Sequence, residues 1–313
     1  MKYAIGMDIG GTTIACGIIN EAGDLIQQEI VPSDPSDREK MFERVVACVQ
    51  QLMDHCSIPF NQITGIGAGV PGKIDRDNGI AVFQNNLPWE NFPFVERIRE
   101  ALGIGKVVID NDVYMAAFAE WKDAGLDEGL FVYMTISTGI STAIIQNGEF
   151  IRGAGFAGEL GLVPVTSPNE TIGHSHTEEH SVFGSAVTRL EKTSAGPALE
   201  RHAQALFHST DMTAEKLFQL YYQGDEKAIT LVNGAIDSWT HGIYMINSML
   251  DPHKIVFGGS VATHNPVLLQ KIKEKLDALL IDEQKHILNE LCISRLGNNQ
   301  GIIGAGLRAL AED

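Results

Sequence analysis

Apolar residues in the first half of the chain alternate between two spacings. Short runs rich in isoleucine and valine predict strands, and they fall at residues 3–9, 13–20, 25–32, 63–70 and 107–109. Residues 37–55 instead place apolar side chains three and four positions apart, which is the period of an amphipathic helix. Two more helices are predicted near residues 94–102 and from 113 to about 121. Strands that alternate with helices indicate an α/β fold with a partly parallel sheet.

The second half of the chain repeats this order. The sequence predicts strands at 131–137 and 141–145, a glycine-rich loop at 151–161, a mainly helical stretch at 182–250, a strand at 254–257 and a helix at 301–311. Breaks in the helical stretch are expected near Gly196 and Gly224.

A length of 313 residues is enough for two domains of about 150 residues each. We expect a small N-terminal lobe that consists of residues 1–115 and a C-terminal helix at about 300–313. Residues 116–299 would then form a larger lobe, with a central cleft between the two.

Charge and composition restrict the partners, the thiol state and the location that the sequence predicts. The net charge of −17 argues against nucleic acid, because phosphate-backbone binding needs a basic stripe that the sequence lacks. The four cysteines are scattered without a C-x-x-C pair, which favours reduced thiols and a cytoplasmic protein. The N-terminus is too quickly polar for a signal peptide, and no apolar run reaches the roughly 18 residues of a membrane span.

A glycine- and hydroxyl-rich hairpin occurs twice in the sequence. The first copy, DIGGTTIACGIINEAGDLI, covers residues 8–26, and the second, TISTGISTAIIQNGEFI, covers residues 135–151. Glycines let a backbone pass close to phosphate oxygens, while N–H groups and hydroxyls supply donors without bulk. Two such hairpins predict related half-domains that hold one polyphosphate; the alternative is two ordinary hairpins with glycine turns. The predicted phosphate-binding residues are Asp8, Gly10, Gly11, Thr12, Thr13, Thr138 and Gly139.

A carboxylate stands between the predicted strand at 107–109 and the helix that follows it. Functional side chains often lie at this end of the strands of an α/β sheet. If the bound polyphosphate gives a phosphoryl group to an alcohol, a carboxylate must take the hydroxyl proton, and Asp112 is the candidate for that base. Asn111 is placed to bond another substrate hydroxyl. The alternatives are that Asp112 is only the N-cap of the helix, and that Asp110 is the strand-end carboxylate.

The order and spacing of these motifs resemble the ROK family of sugar kinases, in the actin-like ATPase superfamily, essentially from end to end. The matching segments are DIGGT and residues 137–139 for the two phosphate loops, residues 251–259 with Gly258 and Gly259 for the adenosine-side loop, and residues 304–306 for the C-terminal helix. Residues 141–143 depart from the family, because Ser, Thr and Ala replace a glycine run. The resemblance implies a two-lobed, ribonuclease H-like fold and an enzyme that uses ATP and Mg²⁺.

The resemblance also implies a set of sugar contacts. Residues 85–89 resemble the family's Asn-Leu-x-Trp segment, and residues 155–159 resemble the loop whose Glu binds ring hydroxyls. Glu179 matches a Glu that follows the family's zinc knuckle; the alternative for Glu159 and Glu179 is a solvated surface carboxylate. The uncharged, glycine-rich surroundings of Glu159 fit that alternative poorly. The substrate-binding residues expected from the sequence are Gly72, Asn86, Asn111, Asp112, Glu159 and Glu179.

A structural zinc site is not expected. The positions that carry the family's one histidine and three cysteine ligands hold Leu162, Glu170, Ile172 and Thr177. The alternative is a substitute metal site at His174, His176 and His180, although a solvated loop fits these residues better. Zinc-less relatives such as the β-glucoside kinases also lack these ligands. The resemblance implies that loss of the histidine removes a contact near the first carbons of the sugar.

The sequence therefore predicts a sugar kinase, expected to be a homodimer, that phosphorylates a glucose-like hexose on its 6-hydroxyl. The alternatives are a modified sugar, a β-glucoside, an N-acylhexosamine and a cyclitol or inosose. A sugar-sensing regulator is a further alternative; it would place a DNA-binding module before DIGGT, and the charge of −17 repels DNA. An actin- or chaperone-like ATPase would lack the Asn111-Asp112 pair and the glycine-rich loop around Glu159.

Overall fold

The computed structural model describes residues 2–84, 86–166, 180–182 and 185–311. The first part of the chain contains β1 (Tyr3–Ile9), β2 (Thr13–Asn20), β3 (Leu25–Pro32), α1 (Arg38–Asp54), β4 (Ile63–Val70), β5 (Lys73–Asp75), β6 (Ile80–Phe83), β7 (Glu90–Phe92), α2 (Phe94–Leu102), β8 (Val107–Asn111) and α3 (Asp112–Ala124).

The rest of the chain begins with a second set of strands and ends in helices. It contains β9 (Leu130–Ile136), β10 (Ile140–Gln146), β11 (Glu149–Ile151), β12 (Pro164–Thr166), β13 (His180–Val182), β14 (Ser185–Arg189), α4 (Leu190–Ser194), α5 (Gly196–Phe207), α6 (Ala214–Gln223), α7 (Glu226–Leu250), β15 (Lys254–Gly258), α8 (Ser260–His264), α9 (Leu268–Asp277), α10 (Ile287–Glu290), β16 (Leu291–Ile293) and α11 (Gln300–Leu310).

The chain divides into two compact units. Unit 1 comprises Met1–Leu126 with Leu296–Asp313, and unit 2 comprises Asp127–Arg295. The boundary that the sequence suggested, between residues 115 and 116, falls inside α3. Because α3 packs against α11 and β4, the whole helix belongs to unit 1, and the division follows it.

Unit 1 is built on a five-stranded sheet in the order β3-β2-β1-β4-β8. The first three strands are antiparallel, whereas β4 and β8 continue the sheet in parallel from β1. Alternate residues of β1 face opposite sides, as the period of a strand requires. Ile5 and Met7 enter the core shared with α1, while Gly6 faces α11, where a Cβ would overlap the carbonyl oxygen of Ile302.

Unit 2 contains a second five-stranded sheet, in the order β11-β10-β9-β15-β16. Its hairpin strands are antiparallel and its last three strands are parallel, which is the pairing pattern of unit 1. The repeated hairpin of the sequence thus corresponds to a repeated sheet topology. The core of this unit packs the sheet against α7 and its neighbouring helices. No helix in the described part of the chain, α7 included, is long and apolar enough to cross a membrane.

Two small sheets were not expected from the sequence. One has the order β5-β6-β7 and the other β12-β14-β13. The second replaces the start of the helical stretch predicted from residue 182, because β13 and β14 pair antiparallel before α4 begins at Leu190. Strands of three to five residues span too little of the chain to show a period of their own.

Candidate active site

The first glycine-rich turn of unit 1 is held by hydrogen bonds to its carbonyl groups. Gly10 N donates to Thr13 O at 2.9 Å, which closes the turn between β1 and β2. Ser33 then donates its N–H to Thr12 O at 2.9 Å and its Oγ–H to Gly10 O at 2.6 Å. Ser33 therefore fixes the shape of the turn, a role that nothing in its local sequence indicates. The side chains of Thr12 and Thr13 are exposed.

Gly11 lies against the Asn-Leu-x-Trp segment. A Cβ on Gly11 would lie 2.8 Å from Asn86 O and 3.2 Å from Asn86 Cβ, so this approach requires glycine. The segment itself is anchored by Trp89, which is buried, stacks on Phe92 and donates its indole N–H to Arg38 O at 3.1 Å. The fold thus places the exposed Asn86, a predicted sugar contact, beside a predicted phosphate contact.

Asp112 occupies the first turn of α3, directly after β8. The N-cap is Asn111, whose Oδ1 accepts from Val113 N at 2.9 Å; Asp112 Oδ1 accepts from the same N–H at 3.0 Å. The helix is therefore capped without Asp112, which is half-buried. Asp110 is 4% exposed and accepts from Asn111 N at 2.8 Å. Its carboxylate lies in the interior, so Asp112 is the better placed of the two to meet a substrate.

Asn111 also contacts the second predicted sugar residue. Its Nδ2 donates to Gly72 O at 3.1 Å. Gly72 has a φ of +91°, and a Cβ there would overlap the carbonyl oxygen of Phe83, so only glycine fits. An amide carries two N–H donors, and this bond uses one of them. Asn111 consequently orients the chain around Asp112 in addition to the substrate contact that the sequence assigned to it.

Two carboxylates of unit 1, Asp8 and Asp112, have raised pKa values. Burial, and secondarily the charge of Asp112, raise the pKa of Asp8 to about 7. Burial also raises the pKa of Asp112, against the effect of the backbone N–H of Val113. A carboxylate with a raised pKa is a stronger proton acceptor, which suits a general base. Asp8 further lies beside the start of α11, where a Cβ on Gly301 would be 2.6 Å from Asp8 Oδ2.

Gln84 was not singled out by the sequence, yet it lies beside Gly72. It is 5% exposed, and a Cβ on Gly72 would lie 3.0 Å from its Cα. Its Nε2 donates to Lys73 O at 3.4 Å, while its Oε1 has no hydrogen-bond partner within the part of the chain that the structure describes. A buried acceptor of this kind normally finds a partner in water or a ligand.

The second glycine-rich turn joins three distant segments of unit 2. Ser137 N donates to Gly139 O at 2.9 Å, and Ser137 O accepts from Gly196 N at 2.8 Å. Ser137 Oγ lies 3.2 Å from Ser260 Oγ, at the start of α8. Gly196, which the sequence marks only as a break, begins the 12-residue helix α5. The exposed Thr138 thus lies close to a helix N-terminus, whose partial positive charge favours anions.

Gly258 and Gly259 are required by the packing at the end of β15. A Cβ on Gly258 would overlap the Tyr133 hydroxyl. Gly259 has a φ of +82°, and a Cβ there would lie only 2.5 Å from Ile136 O and 2.6 Å from Thr135 Oγ1. The predicted nucleotide role of these glycines is compatible with this packing and remains a proposal.

Thr142 explains part of the departure from the family pattern at residues 141–143. This buried residue donates both its N–H and its Oγ1–H to Gly158 O, at 2.7 and 2.8 Å. A Cβ on Gly158 would overlap Thr142 O. The loop that presents the exposed Glu159 is therefore tied to the second hairpin by a threonine where the family carries glycine.

The predicted zinc-free loop lies mostly outside the described residues. Glu170, Ile172, His174, His176, Thr177 and Glu179 all fall there. Leu162, at the family's histidine position, is 46% exposed. No group of three or more His, Cys, Asp or Glu side chains in the described ranges is arranged to hold a metal. The absence of zinc therefore remains a prediction.

The chain is similar in sequence and in fold to known proteins. A glucokinase of Halalkalibacterium halodurans is 28% identical over 97% of this chain and 94% of its own. An N-acetyl-D-glucosamine kinase of Haemophilus influenzae is 27% identical over 98% of this chain and 99% of its own. The crystal structure of a ROK hexokinase from Thermus thermophilus has a TM-score of 0.79 at 28% identity, with 98% of both chains covered.

The sequence model of the ROK family matches almost the whole sequence, from residue 4 to residue 312. The similarity to the hexokinase structure confirms the predicted α/β fold of the actin-like ATPase, ribonuclease H-like class. The repeated pairing order of the two five-stranded sheets agrees with it. The chain belongs to the ROK family.

Proposed function

We propose that this protein is an ATP-dependent sugar kinase that phosphorylates an alcohol group of a glucose-like hexose, with Asp112 as the base. The observation that carries the proposal is the placement of Asp112 in unit 1. It stands in the first turn of α3, its pKa is raised by burial, and its charge acts on Asp8 at the end of β1. Relatives that match this chain nearly end to end are named as sugar kinases.

Each group of unit 1 has a chemical part in this proposal. Asp112 takes the proton of the attacking hydroxyl, and Asn111 holds the start of α3 in position through its bonds to Val113 and Gly72. The bond from Gly10 N to Thr13 O closes the turn, and the backbone N–H groups of Gly11 and Thr12 are the ones proposed to bind the phosphates. Catalysis of phosphoryl transfer depends mainly on such positioning and on electrostatic stabilisation, since there is little covalent chemistry for the protein to perform.

Asp8 fits the role of a Mg²⁺ contact. Mg²⁺ in kinases is usually held by one or two carboxylates together with substrate phosphates, so a dedicated cluster of acidic residues is not needed. When bound, Mg²⁺ neutralises charge on the phosphates and on the group in transfer. A cation beside Asp8 also offsets the effects that raise its pKa, because an opposite charge favours the ionised form.

The proposed sugar class rests on the family resemblance, which also assigns sugar contacts to Gly72, Asn86, Glu159 and Glu179. We propose a glucose-like hexose with the 6-hydroxyl as acceptor. Two relatives of nearly equal identity, 28% and 27%, are named for glucose and for N-acetyl-D-glucosamine. Similarity therefore does not choose between a free hexose and an N-acylhexosamine, and β-glucosides and cyclitols remain candidates.

In unit 2, the proposed nucleotide contacts are Thr138, Gly139, Gly258 and Gly259. The anion-favouring start of α5 beside Ser137 supports the first two. The four free cysteines support a reducing, cytoplasmic location. The proposed homodimer rests on the family resemblance alone, and light scattering coupled to size-exclusion chromatography tests it.

A coupled ATP-consumption assay with Mg²⁺ and a sugar panel tests the function. The panel contains glucose, N-acetyl-D-glucosamine, N-acetyl-D-mannosamine, a β-glucoside and an inosose. We expect one of these acceptors to stimulate ATP turnover well above the background rate, and mass spectrometry of the product identifies the phosphorylated hydroxyl. Sugar binding without stimulated turnover would instead favour a sugar-sensing regulator.

A further inference from the structure

Two buried thiols face each other in unit 1, outside the candidate site. Cys16 lies on β2 and Cys48 on α1, and both are fully buried. Their Sγ atoms are 3.0 Å apart. Both cysteines are free, and the mechanism proposed above uses neither.

The two sulfur atoms are held in this position by their elements. Cys16 Sγ also donates to Cys48 O at 3.3 Å. Cys48 belongs to the buried face of α1, with Val45, Val49 and Leu52. A disulfide bond is about 2.05 Å long, so closure requires the sulfur atoms, now 3.0 Å apart, to approach by only roughly 1 Å. The other two cysteines, Cys56 and Cys292, belong to different units and are half-buried.

We propose that Cys16 and Cys48 form a redox-active dithiol that closes to a disulfide when the folded protein meets a peroxide. The chemical environment favours Cys48 as the thiol that reacts first. The hydrogen bond between the two thiols lowers the pKa of Cys48, and the same bond together with burial raises the pKa of Cys16. Only the thiolate is an effective nucleophile.

The oxidation takes two steps. The Cys48 thiolate attacks one oxygen of hydrogen peroxide, so that an S–O bond forms, the O–O bond breaks, and the other oxygen leaves as water after taking up a proton. The sulfur of Cys16 then attacks the sulfur of Cys48; the S–S bond forms, the S–O bond breaks and a second water leaves. Each sulfur loses one electron, and the peroxide accepts both.

The cross-link would join the first phosphate hairpin to its supporting helix. Cys16 lies on β2. This strand begins at Thr13, which belongs to the predicted phosphate-binding turn. The two cysteines are 32 residues apart in sequence, and the segment between them contains β3 and much of α1. Because a disulfide restricts the unfolded chain, the oxidised protein is expected to melt at a higher temperature than the reduced protein.

Mass spectrometry tests the proposal on the full chain. The reduced protein is treated with hydrogen peroxide under native conditions, quenched with catalase, and alkylated after denaturation. We expect two of the four cysteines to escape alkylation, with a peptide that joins Cys16 to Cys48, and full alkylation after treatment with a thiol reductant. Alkylation of all four cysteines, or conversion of these two to sulfinic or sulfonic acid without a cross-link, would overturn the proposal.

Matched variants identify the pair. Replacement of the other two cysteines, Cys56→Ser with Cys292→Ser, should leave the cross-link intact. Cys48→Ser should abolish it; because this site is fully buried, Cys48→Ala and Cys16→Ala provide apolar replacements in case the serine variant does not fold. A peroxide-induced cross-link that persists in any folded variant without Cys16 or Cys48 would show that another pair reacts and would contradict the assignment.

Discussion

Asn111 donates its Nδ2 to the carbonyl oxygen of Gly72 at 3.1 Å, while its Oδ1 caps α3 at Val113 N. One side chain therefore joins the turn after β4 to the start of the helix that carries Asp112. The two bonds use different atoms of the amide, so they can be removed separately.

Two substitutions of Asn111 should have distinct effects. Asn111→Ala removes both bonds and should lower the free energy of unfolding by about 0.5–1 kcal/mol, the lower part of the range for loss of an N-cap, because Asp112 Oδ1 still accepts from Val113 N. Asn111→Asp keeps a capping oxygen but replaces the donor to Gly72 with a carboxylate. It should retain most of the stability and still lose turnover. Urea unfolding and steady-state kinetics measure the two quantities; equal effects of both variants on stability would argue against the separate roles.

Asp112→Asn should reduce kcat by roughly 10²–10⁴-fold, the usual contribution of a general base, and leave nucleotide affinity within a few-fold. The base is required only when the hydroxyl is deprotonated, so binding in the ground state should survive. Asp123→Asn, an exposed change near the other end of α3, is the matched control and should keep wild-type turnover. Near-wild-type kcat in Asp112→Asn would assign the base to another residue.

The raised pKa of Asp8 should make the stability of the ligand-free protein depend on pH. A carboxyl with a folded-state pKa of about 7 and an ordinary value of 3.8 when unfolded binds more protons in the folded state between these two pH values. Its contribution therefore falls as the pH rises from about 4 to 7. The free energy of unfolding of Asp8→Asn minus that of the wild type should therefore be larger at pH 8 than at pH 5. Urea titrations at both pH values measure the difference; a difference independent of pH contradicts the assignment.

Gly11→Ala should damage the phosphate turn selectively. The added Cβ would meet the backbone oxygen of Asn86 at 2.8 Å, and a backbone atom yields less readily than a flexible side chain. We expect the KM for ATP to rise about tenfold or more, as is typical when positioning of the reacting groups is disturbed. Gly105→Ala is the control, because nothing lies within 4 Å of a Cβ at that glycine. It should leave both KM and stability unchanged within error.

The protein should contain no structural zinc. Leu162, Glu170, Ile172 and Thr177 stand at the family's ligand positions, and none of them is a cysteine or a histidine. A structural zinc supplies on the order of 10 kcal/mol to the fold of a small knuckle. Metal analysis should therefore find substoichiometric zinc, and a chelator should leave the melting temperature unchanged once Mg²⁺ is restored. Stoichiometric zinc that is lost together with stability would implicate His174, His176 and His180.

The sequence by itself determined the main elements and the family. Strands such as β1 and β2 and the helix α1 lie where the sequence predicted them, because β1 and β2 are nearly continuous runs of buried residues and α1 buries side chains three and four positions apart. The DIGGT turn was equally readable, because its glycines and hydroxyls are contiguous. The short strands β13 and β14 were not, and Val182 and residues 185–189 were wrongly assigned to a helical stretch.

Only the tertiary structure decided how the site residues are positioned. Ser33 and Gly10, Gly11 and Asn86, and Asn111 and Gly72 meet across 23 to 75 positions of the chain, and no local pattern encodes such pairs. The same holds for the electrostatic effect of Asp112 on Asp8, which depends on β1, β4 and β8 being adjacent strands of one sheet. Local sequence specifies the period of an element and the chemistry of a motif. Contacts between distant segments, and the pKa values they change, arise only when the sheet has formed.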